Sequence, residues 1–564
     1  MNLSQFLQTI DKYTSQMPKD ALTVCFHEIA RVLPEEQRDW MLSVMERNGA
    51  GVFVSEPEAI VPESLYDQLE KIRSGEYRLD SEYNEAWDDW YAEEEPEFVF
   101  EDGDGLLDIV DAACAELHRL VECAAFPEAY QLGERLISLD VQTDGDYSDF
   151  DKDTLDVEDL EDYELLTASI KTLLLDTACA AYFVLSGEER LEKLYELSEV
   201  FYTSWTVQEL MQHSPEELPD TEHFLTEWIA YLDKIPSATA SVFLQEALHL
   251  QVDPEQILTI ARCSAAVHPE VYAQALSVQM DDAARLSVGL EAMQNISANV
   301  ILRGEIALQT AEAAMRLGDT QKAQYCRTEC FRSDSTPVHY LRALLNSPDY
   351  EQSRAELQEI ADSVQESEIK VFLPKNHITE ETRRFIRFLN GEFQNAYADL
   401  QKTYKDYKPL ALKQGIALTA LFLYPEKPLR QGGQAMCHFL TRELPFDAAD
   451  YCRGVGTASE TDSTLLLWTC LLQCRQHTPL PDREHAVGLL RTLCTNMTDY
   501  VMQHNERCAY PECAALAAVL GEILETEGTI PAKNDFLLQC KNLYPRRTAY
   551  HRELRTYGMR DGKK

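Results

Sequence analysis

The chain of 564 residues lacks most of the short signatures by which an enzyme's chemistry is read from sequence. It has no GxxxxGKS/T segment, so no standard loop cradles nucleotide phosphates. No GxGxxG follows a strand. Gly103 and Gly105 in DGDGLLD lack a third glycine and stand among carboxylates that repel a pyrophosphate. GxSxG, the turn that exposes a nucleophilic serine, is missing. His27-Glu28 opens like a zincin helix, but position 31 is Arg and the second histidine ligand is absent. Basic residues are scarce: 50 Lys and Arg stand against 97 Asp and Glu, a net charge of −47. A field of that sign repels nucleic-acid backbones and anionic lipid heads, so neither direct nucleic-acid binding nor a membrane partner is expected. Long apolar runs are lacking too. The best spanning candidate, LLLDTACAAYFVL at 173–185, is too short for a bilayer and is interrupted by Asp176.

A disulfide framework is equally absent. The 15 cysteines are odd in number and share no repeated spacing, and Cys179 and Cys470 lie inside apolar runs where a free thiol acts as a small hydrophobe. The N-terminus carries Asp11 and Lys12 where a secretory signal would be apolar. These features predict a cytoplasmic protein. No CxxC occurs, and the i, i+4 pairs Cys326/Cys330 and Cys470/Cys474 each offer two ligands where structural zinc takes four. Eight cysteines fall in 437–540 beside His438, His477, His485 and His504. A metal reading would draw on Cys508, Cys513 and His504. The reading adopted is core cysteines on closely packed helices, with no metal and no cofactor.

What is present is helical periodicity almost throughout. Leu3, Phe6, Leu7 and Ile10 fit one helix face, Leu22, Cys25, Phe26 and Ile29 a second, and Pro34 opens a third, which predicts a three-helix cap over 1–50. Strand signals are limited to 51–57 and 98–100. Residues 80–108 hold 13 acids and no base, and residues 140–164 hold 12 acids and one lysine. In the second block Asp149, Asp151 and Asp153 match EF-hand positions, but Thr154 replaces the turn glycine and Leu160 the bidentate glutamate, so a solvated acidic loop is expected. From 165 to 530 the chain reads as helix after helix.

One unit within that run, LQTAEAAMRLGDTQKAQYCRTECF, sets Ala311 and Ala314 on one helix, Gly318-Asp319 in a turn, and Ala323 and Cys330 on the next helix. It resembles the tetratricopeptide repeat, with Arg327 where that family has an aromatic or apolar residue and Ala307 where Trp is common. Gly391 and Ala396 in FLNGEFQNAYADLQK repeat the spacing, and 124–136 echo it. The ending NLYPRRTAYHRELRTYG resembles the helical region accompanying some bacterial SWIM-type zinc-finger proteins, without the Cys-x-Cys and Cys-x-His finger itself. The tetratricopeptide resemblance implies an all-α superhelical array of antiparallel helix pairs. The expected order is a cap (1–50), an acidic-aromatic linker (51–105), a helix pair with an acidic loop (106–165), repeats (166–410), a C-terminal helical region (411–540) and a basic terminal helix (541–564).

Two charged segments are the candidate contact sites. Trp87, Asp88, Asp89, Trp90 and Tyr91 mix rings with carboxylates, and rings of that size are costly to leave in water. Either the rings pack on adjacent helices as local core with the acids facing water, the reading preferred, or they dock on a basic protein partner. At the other end, residues 541–564 carry eight bases and two acids, and Arg546, Arg547, Arg552 and Arg555 would suit carboxylates or phosphates of a partner, or neutralise an acidic surface of the chain itself, the reading preferred. No catalytic residue is assigned. The expected function is a non-enzymatic scaffold or adaptor for protein–protein interaction. Two alternatives stand beside it: an acidic mimic that sequesters a basic, nucleic-acid-binding partner, and an enzyme without short motifs.

Overall fold

Buried apolar helices organise the chain. In the computed structural model, residues 63–83, 98–144, 154–251, 254–278, 280–364, 373–394, 414–426, 428–455 and 462–561 are described. The expected cap over 1–50, the segment Trp87–Tyr91 and the Asp149–Asp153 triplet lie outside these residues. Among the described residues helices dominate, with one small four-stranded sheet and one isolated bridge. The chain divides into two compact units, Met1–Pro219 and Asp220–Lys564.

The first unit contains α1 (Glu63–Arg73), β1 (Leu79–Tyr83), β2 (Phe98–Glu101), α2 (Leu106–Glu122), α3 (Phe126–Ile137), β3 (Val141–Asp144), β4 (Thr154–Leu155), α4 (Val157–Asp162), α5 (Ile170–Val184), α6 (Gly187–Leu197) and α7 (Val207–His213). The sheet order is β2-β1-β3-β4, with β1 antiparallel to β2 and parallel to β3. Leu79, Val141 and Leu155 point inward from it while Asp80 and Gln142 stay exposed, the two-residue alternation of a half-buried strand. Both acidic blocks therefore contribute strands: β2 forms at the strand signal 98–100, while β1, β3 and β4 lie where the sequence suggested linker and loop. Their carboxylates also satisfy backbone donors. Asp102 accepts from Leu106 and Leu107 at the start of α2, at 2.9 and 2.8 Å. Asp156 and Asp159 form a reciprocal capping box on α4, and buried Glu158 accepts from the Tyr202 and Thr203 amides. Leu160 is fully buried in α4, so the calcium-loop spacing ends in core packing.

Helix α5 is the apolar run 173–185, and its hydrophobicity reflects burial on nearly every side. It packs against α2, α3, α4, α6 and α7. Each fully buried leucine on it is worth about 1.5–3 kcal/mol over exposure. Among the described residues no helix is long and apolar enough to cross a membrane.

The second unit opens with α8 (Thr221–Leu232), α9 (Ala238–Gln251), α10 (Pro254–Ser264), α11 (Glu270–Ser277), α12 (Asp282–Asn295), α13 (Ile301–Arg316), α14 (Thr320–Ser333), α15 (Pro337–Leu345), α16 (Tyr350–Ser363) and α17 (Glu380–Leu389). It continues with α18 (Gln414–Leu423), α19 (Gln431–Glu443), α20 (Ala448–Cys452), α21 (Ser463–His477), α22 (Arg483–Gln503), α23 (Tyr510–Thr526), α24 (Lys533–Leu543) and α25 (Thr548–Thr556). From α11 to α16 each helix packs on the one that follows it in sequence. The pair α13–α14 is the repeat-like segment. Ala311, Ala314 and Ala323 are fully buried, Gly318 turns the chain at φ 75°, and Asp319 caps α14 by accepting from the Lys322 amide at 3.0 Å.

Beyond α17 the packing changes. Helix α23 is buried along most of its length and is touched by α18, α19, α22, α24 and α25. Gly432 at the start of α19 lets that helix approach closely, since a Cβ there would lie 2.4 Å from the Val519 amide nitrogen. Buried Glu522 fixes the same junction. It accepts from the Gly432 and Gly433 amides at 3.1 Å each, from the Tyr424 hydroxyl at 2.9 Å, and from Lys533 Nζ at 2.5 Å. Removing the carboxylate strands four buried donors. Glu522→Ala is expected to cost about 3–5 kcal/mol. Urea unfolding followed by circular dichroism checks this, and a cost under about 1 kcal/mol would show the network to be dispensable.

Candidate functional site

A buried charge needs partners, and the midpoint of α5 carries one. Asp176 is fully buried, with apolar neighbours on its own helix. Two imidazoles meet its carboxylate. His118 Nδ1 from α2 lies 3.2 Å from Oδ1 and 3.1 Å from Oδ2, and His213 Nε2 from α7 lies 2.6 Å from Oδ1. The two rings stand 5.8 Å apart, tilted by 45°. For both contacts to be hydrogen bonds, each facing ring nitrogen must carry a proton, because the carboxylate only accepts. The outer nitrogen of His118, Nε2, lies 3.7 Å from Glu122 on the next turn of α2.

Three helices place these groups, and each is held independently. Helix α7 is capped by Thr206, which accepts from the Glu209 amide, and Glu209 pairs with Lys171 on α5. The hydrogen bond from Lys171 lowers the Glu209 pKa from its ordinary value. It also anchors the N-terminal part of α7, so that His213 at the helix end reaches Asp176. Asp111 on α2 accepts from the Thr167 and Ala168 amides just before α5, fixing α2 against it. Two thiols lie near the cluster. Burial, with Asp111 and Asp176 adding to it, pushes Cys114 up to about 12, and burial pushes Cys179 up to about 11, so both are neutral at physiological pH. Access is one-sided: the His118 side chain is 44% exposed, that of His213 18% and that of Asp176 1%.

The residues singled out from sequence lie elsewhere. Trp87, Asp88, Asp89, Trp90 and Tyr91 fall outside the described residues. Phe100 of the same acidic-aromatic stretch packs on Tyr163, with ring centroids 5.1 Å apart. At the C-terminus the chain turns after Tyr544, the Arg547 amide donating to the Tyr544 carbonyl at 3.1 Å, and α25 starts at Thr548, three residues after Pro545. The basic face is divided. Arg547 donates to the Met502 carbonyl and to Asn505, and Arg555 pairs with Asp561 at 2.7 Å. His551 turns inward and meets the Tyr544 carbonyl at 2.9 Å. Arg546 and Arg552 remain exposed, Arg552 beside Glu553 at 3.3 Å.

A second cluster resembles a nucleophile triad. Cys330 Sγ lies 3.4 Å from His339 Nδ1, and His339 Nε2 lies 2.9 Å from Asp334. Cys330 is 1% exposed, and the Arg342 guanidinium faces the same Nδ1. This is an interior hydrogen-bond network. The C-terminal cysteines follow the same pattern. Burial pushes Cys470, Cys474, Cys513 and Cys540 up to about 12.

Sequence reasoning saw Asp176 only as a break in an apolar run. A lone acid in such a helix requires a partner, but His118 and His213 are 58 and 37 residues away, and nothing local points to them. No protein-family model matches the chain, and no curated protein matches it.

Thiol burial yields a direct expectation. Among the described cysteines, brief alkylation of the native protein should modify exposed Cys123, Cys263 and Cys508 first, and spare Cys470, Cys474 and Cys513 until denaturant is added. Peptide mapping reads this. Rapid native labelling of Cys474 would show that the C-terminal bundle opens.

Proposed function

We propose that the chain is a non-enzymatic helical scaffold that binds a protein partner through the helices between Thr221 and Ser363. The observation that carries this reading is the run of nearest-neighbour packing from α11 to α16. Arrays held by local contacts expose an extended surface to ligands, and such surfaces commonly take peptides or proteins. The array carries large apolar side chains in solvent: Val242 on α9, Leu317 at the end of α13 and Tyr325 on α14. Its far end is anchored by buried guanidiniums. Arg327 donates to the Gly454 carbonyl at 2.9 Å and Arg342 to the Tyr451 carbonyl at 3.1 Å, while Arg453 returns to Glu305 on α13 at 3.0 Å. A braced array is preorganised, which lowers the entropic cost of binding.

A second reading, the acidic mimic, draws support from the sheet. Asp80 on β1 stands opposite Glu101 on β2, so two exposed acidic positions face each other across the pair. Like charges at facing positions destabilise a sheet, and a cationic partner would relieve that repulsion.

Salt separates the two. Tagged full-length protein would be used to capture partners from native lysate, followed by cross-linking and peptide mapping. The scaffold reading expects retention to persist at about 0.5 M salt, where exposed charges are screened. It expects cross-links within 221–363 and several-fold weaker capture by Leu317→Ser/Tyr325→Ser. Capture of a basic protein that is lost at high salt, and lost with Asp80→Asn/Glu101→Gln, would replace it with the mimic.

A further inference from the structure

We propose that His118, Asp176 and His213 form a binding site for one divalent transition-metal ion of the zinc type. Two imidazoles and one carboxylate are a donor set that such ions favour, and three protein ligands leave coordination positions for water or a further ligand. The three donor atoms lie within 4.8 Å of one another. Tetrahedral bonds of about 2.1 Å place donors roughly 3.4 Å apart. The His213–Asp176 contact of 2.6 Å and the His118–Asp176 contact of 3.1 Å would each open by less than about 1 Å to admit the ion.

The contrast with Glu522 shows why this carboxylate is the candidate. Glu522 is held by an ammonium, a hydroxyl and two backbone amides, none of which coordinates a cation while donating to it. Asp176 is held by imidazoles, and a neutral imidazole is itself a metal ligand. Each neutral imidazole would present its lone pair to the ion by carrying its proton on the outward ring nitrogen instead. Asp176 lies at the buried floor and half-exposed His118 at the rim, which gives the ion an entry path. Glu122, beside the outer nitrogen of His118, stands where an outer-shell carboxylate orients a ligating imidazole. The inference is independent of the scaffold reading.

The test uses full-length protein stripped with chelator, titrated with Zn²⁺ by calorimetry and with Co²⁺ by visible absorption. The expected result is one high-affinity ion per chain, a Co²⁺ spectrum without a strong thiolate charge-transfer band, and a metal-dependent rise in Tm. His118→Gln and Asp176→Asn should each weaken affinity about 10-fold or more, while exposed His223→Gln leaves it unchanged. His118 is partly exposed, so its variant should fold even if Asp176→Asn does not, and circular dichroism of the metal-free variants checks this. Absence of binding, or binding unaltered by His118→Gln, would overturn the proposal.

Discussion

A buried carboxylate that must be fully satisfied is the constraint on which both units of this protein depend. Each unit is built around one helix enclosed on nearly all sides, α5 in the first and α23 in the second. Each of those helices carries a single fully desolvated acid, Asp176 or Glu522. Taking a carboxylate out of water costs several kcal/mol unless good donors replace the hydration. The donors come from other helices or their ends, so the acids act as registration marks: the neighbours must dock in one arrangement or leave a charge unpaired. The two solutions differ chemically. Around Glu522 the donors have no second role, and the site is structural. Around Asp176 they are imidazoles, whose nitrogens are also of the type that ligates metal ions.

Buried guanidiniums apply this logic to the helix array. The repeat-like pair α13–α14 has the small residues and the glycine turn its sequence suggests, and Arg327 stands where the tetratricopeptide resemblance would imply an aromatic or apolar residue. Its side chain is 4% exposed and spans to the Gly454 carbonyl. Burial lowers its pKa from the usual range. Arg327 is therefore a brace, joining α14 to the turn after α20. Arg303 does the same locally, reaching the Met293 carbonyl, Ser333 and Glu329. These residues look anomalous in a linear reading because their partners are carbonyls more than a hundred residues away or on the adjoining helix.

The acidic blocks show the converse effect. In sequence they read as solvated linker and loop, since composition reports charge density and nothing about pairing. In the fold Asp102, Asp156 and Glu158 each satisfy backbone donors, and short stretches of the same blocks supply strands β1 to β4. Part of the negative charge thus serves the local architecture. The remainder, including exposed Asp80 and Glu101, faces solvent.

The sequence by itself determined the helical class, the turn at Gly318-Asp319, the burial of cysteines such as Cys179 and Cys470 in apolar runs, and the sign of the protein's field. These are local or additive properties: periodicity, backbone conformational freedom, composition and net charge. Tertiary structure alone decided that α5 is a central core helix, that Arg327 is a brace, that His551 turns inward while Arg546 stays in water, and that His118 and His213 converge on Asp176. Each of those outcomes depends on which distant helix supplies a partner, and hydrogen-bond satisfaction in a low-dielectric interior is a property of the packed neighbourhood. A linear pattern can signal that Asp176 needs a partner; only the folding of α2 and α7 onto α5 selects the two imidazoles that supply it.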